Sequence, residues 1–234
     1  MKTIGLLGGM SWDSSATYYR IINEAVRSRL GGHACARVVL VSLDFAEVRA
    51  LQLSGDWDAA AALLADGAQR LERAGADCVV LCTNYMHKLA PALQAAVDVP
   101  LLHIADAVAA AAREQGVHTL GLLGARPVME EAFYADRLEA WGMSVVVPDA
   151  GDRTMVDHVV FEELTQGMVT DASRTAYLQV IDRLAARGAQ AVILGCTEIG
   201  LLVRTVDTGV PLLDSASLHA LAAAEWSLTP VPVG

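Results

Sequence analysis

Cys82 in VVLCTNYMHK (79–88) and Cys196 in AVILGCTEIG (191–200) share one arrangement: an apolar run, a thiol, a threonine, then a helix-like stretch. Free cysteine is often simply buried, and Cys35 and Cys78 read that way. Cys78 lies inside CVVLC, and its counterpart in the second stretch is Ala191. Cys82 and Cys196 differ because Thr83 and Thr197 follow them, and threonine caps helix starts. A thiol beside unpaired helix N–H groups is predicted to have a lowered pKa, and the thiolate is the form that acts as base or nucleophile.

Several chemistries use such thiols. A disulfide redox pair wants a nearby resolving cysteine, which neither has in sequence. A cysteine hydrolase needs a histidine to activate one nucleophile; His87 offers itself, but the second cysteine is then idle. Two-base proton transfer employs both: one thiolate removes a proton from carbon and the other thiol returns one to the opposite face. Helix N–H donors after Cys82 and Cys196 would hold a carboxylate beside that carbon and stabilise its developing charge. The pattern therefore points to a cofactor-independent racemase or epimerase of an α-substituted carboxylate. Glu198 either accepts a substrate ammonium, holds the thiol, or is a solvated first-turn acid. His87 reads as structural. Gln52, in ALQLSGDW, reads as a loop or helix-start residue in reach of a substrate side chain.

The elements that must position these residues are written twice. IGLLGG (4–9) recurs as LGLLGA (120–125), an offset of 116. RLERAGADCVVLCTNYM (70–86) recurs as RLAARGAQAVILGCTEI (183–199), and VPLLHIADA (99–107) as VPLLDSASL (210–218), an offset of 111. Three matches in one order imply a duplicated unit. Each unit reads as a strand ending in glycine, a long helix, the cysteine strand, another helix, and a strand opening at Val-Pro. The long helices are predicted at 59–74, closed by Gly75, and 172–187, closed by Gly188. Alternating strands and helices imply parallel sheets with right-handed crossovers. The predicted fold is thus α/β with two pseudo-symmetric lobes: residues 1–107 with a C-terminal helix returning at 217–234, and residues 108–216. Ligands of such sheets gather outside the carboxyl ends of the strands, so both cysteines, GGMSWDS and GARPVME are predicted to face one inter-lobe cleft.

Composition narrows the partners. A net charge of -10 without a basic run argues against nucleic acid. Apolar runs break before the ~20 residues of a membrane span, and the start, with Lys2 alone, reads as no signal peptide. Four cysteines without a CxxC pair suit a reducing cytoplasm. Cys82, His87 and the remote His103 specify no zinc set. GLLGGMSWDSS lacks both the dinucleotide fingerprint and the Gly-Lys-Ser/Thr phosphate loop; it reads as a tight turn whose glycines admit a small ligand.

IGLLGGMSWDSSATYY, LCTNYMHK, PLLHIADA and GCTEIGLLV resemble the aspartate/glutamate racemase superfamily, most of all its aspartate racemase branch and the broad-specificity racemases within it. The resemblance covers nearly the whole chain. It implies an amino acid substrate, two catalytic cysteines at Cys82 and Cys196, carboxylate contacts from Thr83, Asn84 and Thr197, and a loop at Met10 and Ser11 that closes over the amino end. It also implies no pyridoxal phosphate and a homodimer; no metal is expected, on the spacing above. Two departures stand out. Ala125 occupies a third-loop position where threonine is common, and VVFEELTQGM, with Phe161 and Thr165, lacks the lysine that pairs with an aspartate side chain. Neutral or modestly polar amino acids are therefore expected, although Arg49 or Arg126 offers a counter-charge. Relatives that isomerise maleate, racemise hydantoins or decarboxylate arylmalonates, and a non-catalytic amino acid binder, are the alternatives.

Overall fold

The structure is a computed structural model that describes residues 1–230. The chain packs as two units, Met1–His103 together with the chain from His219, and Ile104–Leu218.

The first unit runs β1 (Thr3–Gly8), α1 (Trp12–Leu30), β2 (Arg37–Ser42), α2 (Phe45–Ser54), α3 (Trp57–Arg73), β3 (Cys78–Leu81), a 3-10 turn (Tyr85–Leu89), α4 (Ala90–Ala95) and β4 (Leu101–Leu102). Its four strands are parallel in the order β2-β1-β3-β4. The second unit runs α5 (Ile104–Glu114), β5 (Thr119–Gly124), α6 (Arg126–Glu130), α7 (Ala132–Glu139), β6 (Ser144–Val146), α8 (Ala150–Glu162), α9 (Asp171–Ala186), β7 (Ala191–Gly195), α10 (Ile199–Leu202) and β8 (Leu212–Asp214). Its sheet has the same order, β6-β5-β7-β8, again parallel. The last helix, α11 (Ser215–Leu228), starts in the second unit and continues in the first.

The repeat extends to atomic detail. Gly5 and Gly121 sit at the same place in β1 and β5. A Cβ on Gly5 would press on Leu71, Ala76 and the Cys78 carbonyl; on Gly121 it would press on Leu184, Ala189 and Val192. These glycines let α3 and α9 lie close on their sheets. Both helices end alike. Ala76 N–H bonds the Leu71 carbonyl and Ala189 N–H the Leu184 carbonyl, each at 3.1 Å, around Gly75 (φ +87°) and Gly188 (φ +97°). That is a Schellman closure around the glycines predicted to end these helices, and only glycine takes such φ without strain. Asp56 and Thr170 cap the opposite ends.

Two cores follow. Leu7, Leu64, Leu71, Val79, Leu81 and Leu93 fill the first unit; Leu123, Val160, Tyr177, Ile181, Leu184 and Leu194 fill the second. The inner strands β1, β3, β5 and β7 are buried almost throughout. Strands covered on both faces read as continuous apolar runs.

Candidate active site

In each sheet the strand order reverses between the first and third strands, β1/β3 and β5/β7. That is the switch point at which open α/β sheets receive ligands. Cys82 follows β3 and Cys196 follows β7, so each unit carries a thiol at its own switch point.

In the first unit, β1 leads into Gly9 (φ +88°), where a Cβ would overlap the backbone of Leu43. The Gly9 N–H donates to Ser15 Oγ (2.9 Å), which in turn donates to the Ser11 carbonyl (3.0 Å). Ser11 caps α1, its Oγ accepting from Ser14 N–H. Met10 is turned inward and belongs to the core. Beside this loop, Cys82 N–H continues the ladder to the Leu7 carbonyl and Thr83 N–H folds back on the Leu81 carbonyl, both at 2.9 Å. Cys82 Sγ has no exposed surface and donates to the Val80 carbonyl at 3.6 Å. Asn84 is buried, and its Oδ1 has no hydrogen-bond partner. Gln52 lies in the last turns of α2, not in a loop. Its Nε2 donates to Met86 Sδ (3.0 Å), and its Oε1 accepts from Arg49 Nη1 (3.2 Å).

In the second unit, Cys196 is half-buried and its thiol donates to Glu198 Oε2 at 3.0 Å. Of the roles open to Glu198, the structure has it holding the thiol. Ala125 starts α6 without a side-chain cap; Asp157 Oδ1 accepts the Arg126 N–H instead, at 2.6 Å. Thr165 turns its hydroxyl onto the Phe161 carbonyl (2.9 Å).

The expected lowering of the thiol pKa does not hold. Burial pushes Cys82 well above the ordinary thiol value, with no opposing interaction. Cys196 is also raised, first by burial and then by the charge and hydrogen bond of Glu198; the N–H groups of Glu198 and Ile199 pull it back only partly. The reason is local. Neither threonine caps a helix: the 3-10 turn begins at Tyr85 and α10 at Ile199, their N-cap positions fall on Asn84 and Glu198, and neither makes a side-chain cap bond. Such short helices supply little dipole. Both thiols are therefore held above their ordinary value, Cys196 with the Glu198 carboxylate against it. Cys78 is raised too, to about 12, chiefly by burial.

Among the described residues no cluster of histidine, cysteine or carboxylate side chains is arranged to hold a metal ion, and no helix is long and apolar enough to cross a membrane.

A repeated parallel α/β unit with one thiol at each switch point is thus the candidate site. The family model for Asp/Glu/hydantoin racemases matches residues 7–223, and the chain belongs to that family. It is 24% identical over 165 residues to the broad specificity amino-acid racemase RacX of Bacillus subtilis, spanning 70% of this chain and 71% of that one. A crystal structure ascribed to an Asp/Glu racemase of Yersinia pestis superposes with a TM-score of 0.93 at 49% identity, covering 98% of this chain and all of the other. An aspartate racemase homologue from Pyrococcus horikoshii OT3 gives 0.86 at 31% identity, over 98% of this chain and 100% of the other.

Proposed function

We propose that this protein is a pyridoxal-phosphate-independent amino acid racemase in which Cys82 and Cys196 act as opposed acid and base on one α-carbon. The observation that carries the reading is the duplication itself: a thiol at the switch point of each of two repeated sheets. An enzyme with one nucleophile has no use for the second.

The chemistry follows from the two environments. Glu198 takes the Cys196 proton along the existing hydrogen bond, and the thiolate removes the substrate's α-proton. The electron pair left on carbon spreads into the substrate carboxylate, held by Thr83, Asn84 and Thr197. The neutral thiol of Cys82 then delivers its proton to the opposite face. The cycle leaves Cys82 as thiolate and Glu198 protonated, and exchange with solvent restores both. The reverse direction begins from that thiolate. Asn84 would serve both ends of the substrate: its amide N–H groups donate to the carboxylate, and its buried Oδ1, an orphaned acceptor that costs about 1–3 kcal/mol, accepts from the ammonium. Met10 and Ser11 close over the amino end in this reading, and Gln52 meets the side chain.

Broad specificity for neutral and modestly polar amino acids, a homodimer and a cytoplasmic setting complete the proposal; RacX, at 24% identity, supports the specificity. A second reading, acidic substrates, is favoured by Arg49, which reaches Gln52 and through it Met86, four residues beyond Cys82. Incubation in D2O with a panel of single enantiomers, aspartate and glutamate included, tests both. Racemisation with α-deuterium incorporation, without added cofactor, is the expected result. A panel that keeps its rotation and its protium sinks the assignment.

A further inference from the structure

Three histidines far apart in sequence meet inside the first unit. His87 and His219 are buried, and His103 is half-buried. The ring of His87 lies 4.6 Å from that of His103 and 5.7 Å from that of His219, centroid to centroid, edge to face in both cases. His219 is locked at both nitrogens. Nε2 is 2.8 Å from the Leu102 carbonyl, and Nδ1 is 3.0 Å from the hydroxyl of Tyr18, which also meets the ring edge-on. A carbonyl oxygen only accepts, so Nε2 of His219 carries a proton, and Nδ1 shares a hydrogen bond with the Tyr18 hydroxyl. Among the described residues no such group is arranged to hold a metal.

What the cluster touches is the catalytic turn. His87 Nδ1 lies 2.7 Å from the Thr83 carbonyl, and that oxygen likewise only accepts, so Nδ1 of His87 carries a proton and donates it. Thr83 N–H is already engaged with the Leu81 carbonyl. Both backbone groups of the residue after Cys82 are thus pinned, one by the strand and one by His87. The 3-10 helix that follows has no side-chain cap bond of its own.

We infer that His87, seated on His103 and His219, is a positioning residue for Cys82: its bond to the Thr83 carbonyl fixes the turn that sets the direction of the thiol. The inference rests on the two-thiol reading above, and it makes the effect one-sided. Exchange of the enantiomer whose α-proton Cys82 removes depends on the aim of that sulfur; exchange of the other, through Cys196 and solvent, does not, although its inversion still takes a proton from Cys82. The Cys82-dependent enantiomer is the one still exchanging in Cys196→Ala.

The experiment compares wild type, His87→Leu and His87→Asn by α-deuterium exchange on each enantiomer separately. The Asn amide N–H falls near the place of Nδ1. A misplacement of about 1 Å at a reacting group costs on the order of 10²-fold. His87→Leu is expected to lose roughly that much in the kcat for exchange of the Cys82-dependent enantiomer, with KM nearly unchanged and a much smaller loss in exchange of the other. His87→Asn is expected to recover most of it. Equal losses on both enantiomers, or no recovery in His87→Asn, overturn the proposal. Nitrogen-15 spectra of wild-type histidines give a readout that needs neither variant nor activity: His87 protonated at Nδ1 is expected, and a ring protonated only at Nε2 overturns the proposal. A wild type that exchanges no α-proton would instead overturn the racemase reading.

Discussion

Asn84 offers a sharp trade between stability and binding. Its side chain is buried, its Oδ1 lacks a partner, and it makes no cap bond to the 3-10 turn it precedes. Asn84→Leu keeps the branch at Cγ and removes the orphaned acceptor without forfeiting a cap. Relief of one unsatisfied buried group is worth about 1–3 kcal/mol. For a chain of this size 1 kcal/mol moves Tm by about 2–4 °C, so the ligand-free variant is expected to melt several degrees above wild type. Binding goes the other way. A hydrogen bond to a charged ammonium is worth about 1.5–3 kcal/mol, so affinity falls roughly 10- to 100-fold. A substrate present at about 100 times the wild-type Kd, which stabilises wild type by about 2.7 kcal/mol, stabilises the variant far less. Calorimetric melts with and without the amino acid, backed by titration calorimetry, measure both arms. A variant that melts well below wild type yet binds as tightly would show that Asn84 is a framework residue and that its orphaned oxygen does not face the substrate.

Other consequences follow from single features. Glu198→Gln removes the negative charge that helps raise Cys196, so the pH profile for alkylation of Cys196 moves to lower pH; an unmoved profile would show that the 3.0 Å contact carries no electrostatic weight. The Cys78 thiol, held near 12 by burial against an ordinary 9.0, favours the folded protonated state. Its contribution is complete below about pH 9 and is lost as pH rises toward 12, with a slope on the order of 1.4 kcal/mol per pH unit. Cys78→Ala, the residue found at the equivalent Ala191, flattens that slope in urea titrations between pH 9 and 11. Gly9→Ala meets both the positive φ and the Leu43 backbone and is expected to cost at least ~1–3 kcal/mol in chemical denaturation; a loss of a few tenths would contradict the close approach.

The architecture was legible because it is written twice. Gly5 with Gly121, Gly75 with Gly188 and the two Val-Pro pairs mark equivalent backbone requirements, and such requirements survive where side chains drift. The position of each cysteine at a strand's end was legible for the same reason. The electrostatics were not. Thr83 and Thr197 looked like caps, yet the helices start two residues later and are too short to matter, and burial decides the direction of both thiols. Spacing cannot report desolvation, which depends on what packs over an atom. Gln52 was misplaced because ALQLSGDW carries its punctuation, Gly55, just after the helix that contains it. The histidine cluster left no local signal, since His87, His103 and His219 meet only through the fold. Glu198 was open among three roles until the geometry showed its carboxylate on the Cys196 thiol.

The central claim is that two thiols divide one proton transfer between them. Single enantiomers in D2O with Cys82→Ala and Cys196→Ala measure it directly. Each variant should lose racemisation altogether while still washing deuterium into one enantiomer, and the two variants should choose opposite enantiomers. Racemisation surviving in either variant, or both variants exchanging the same enantiomer, would contradict it.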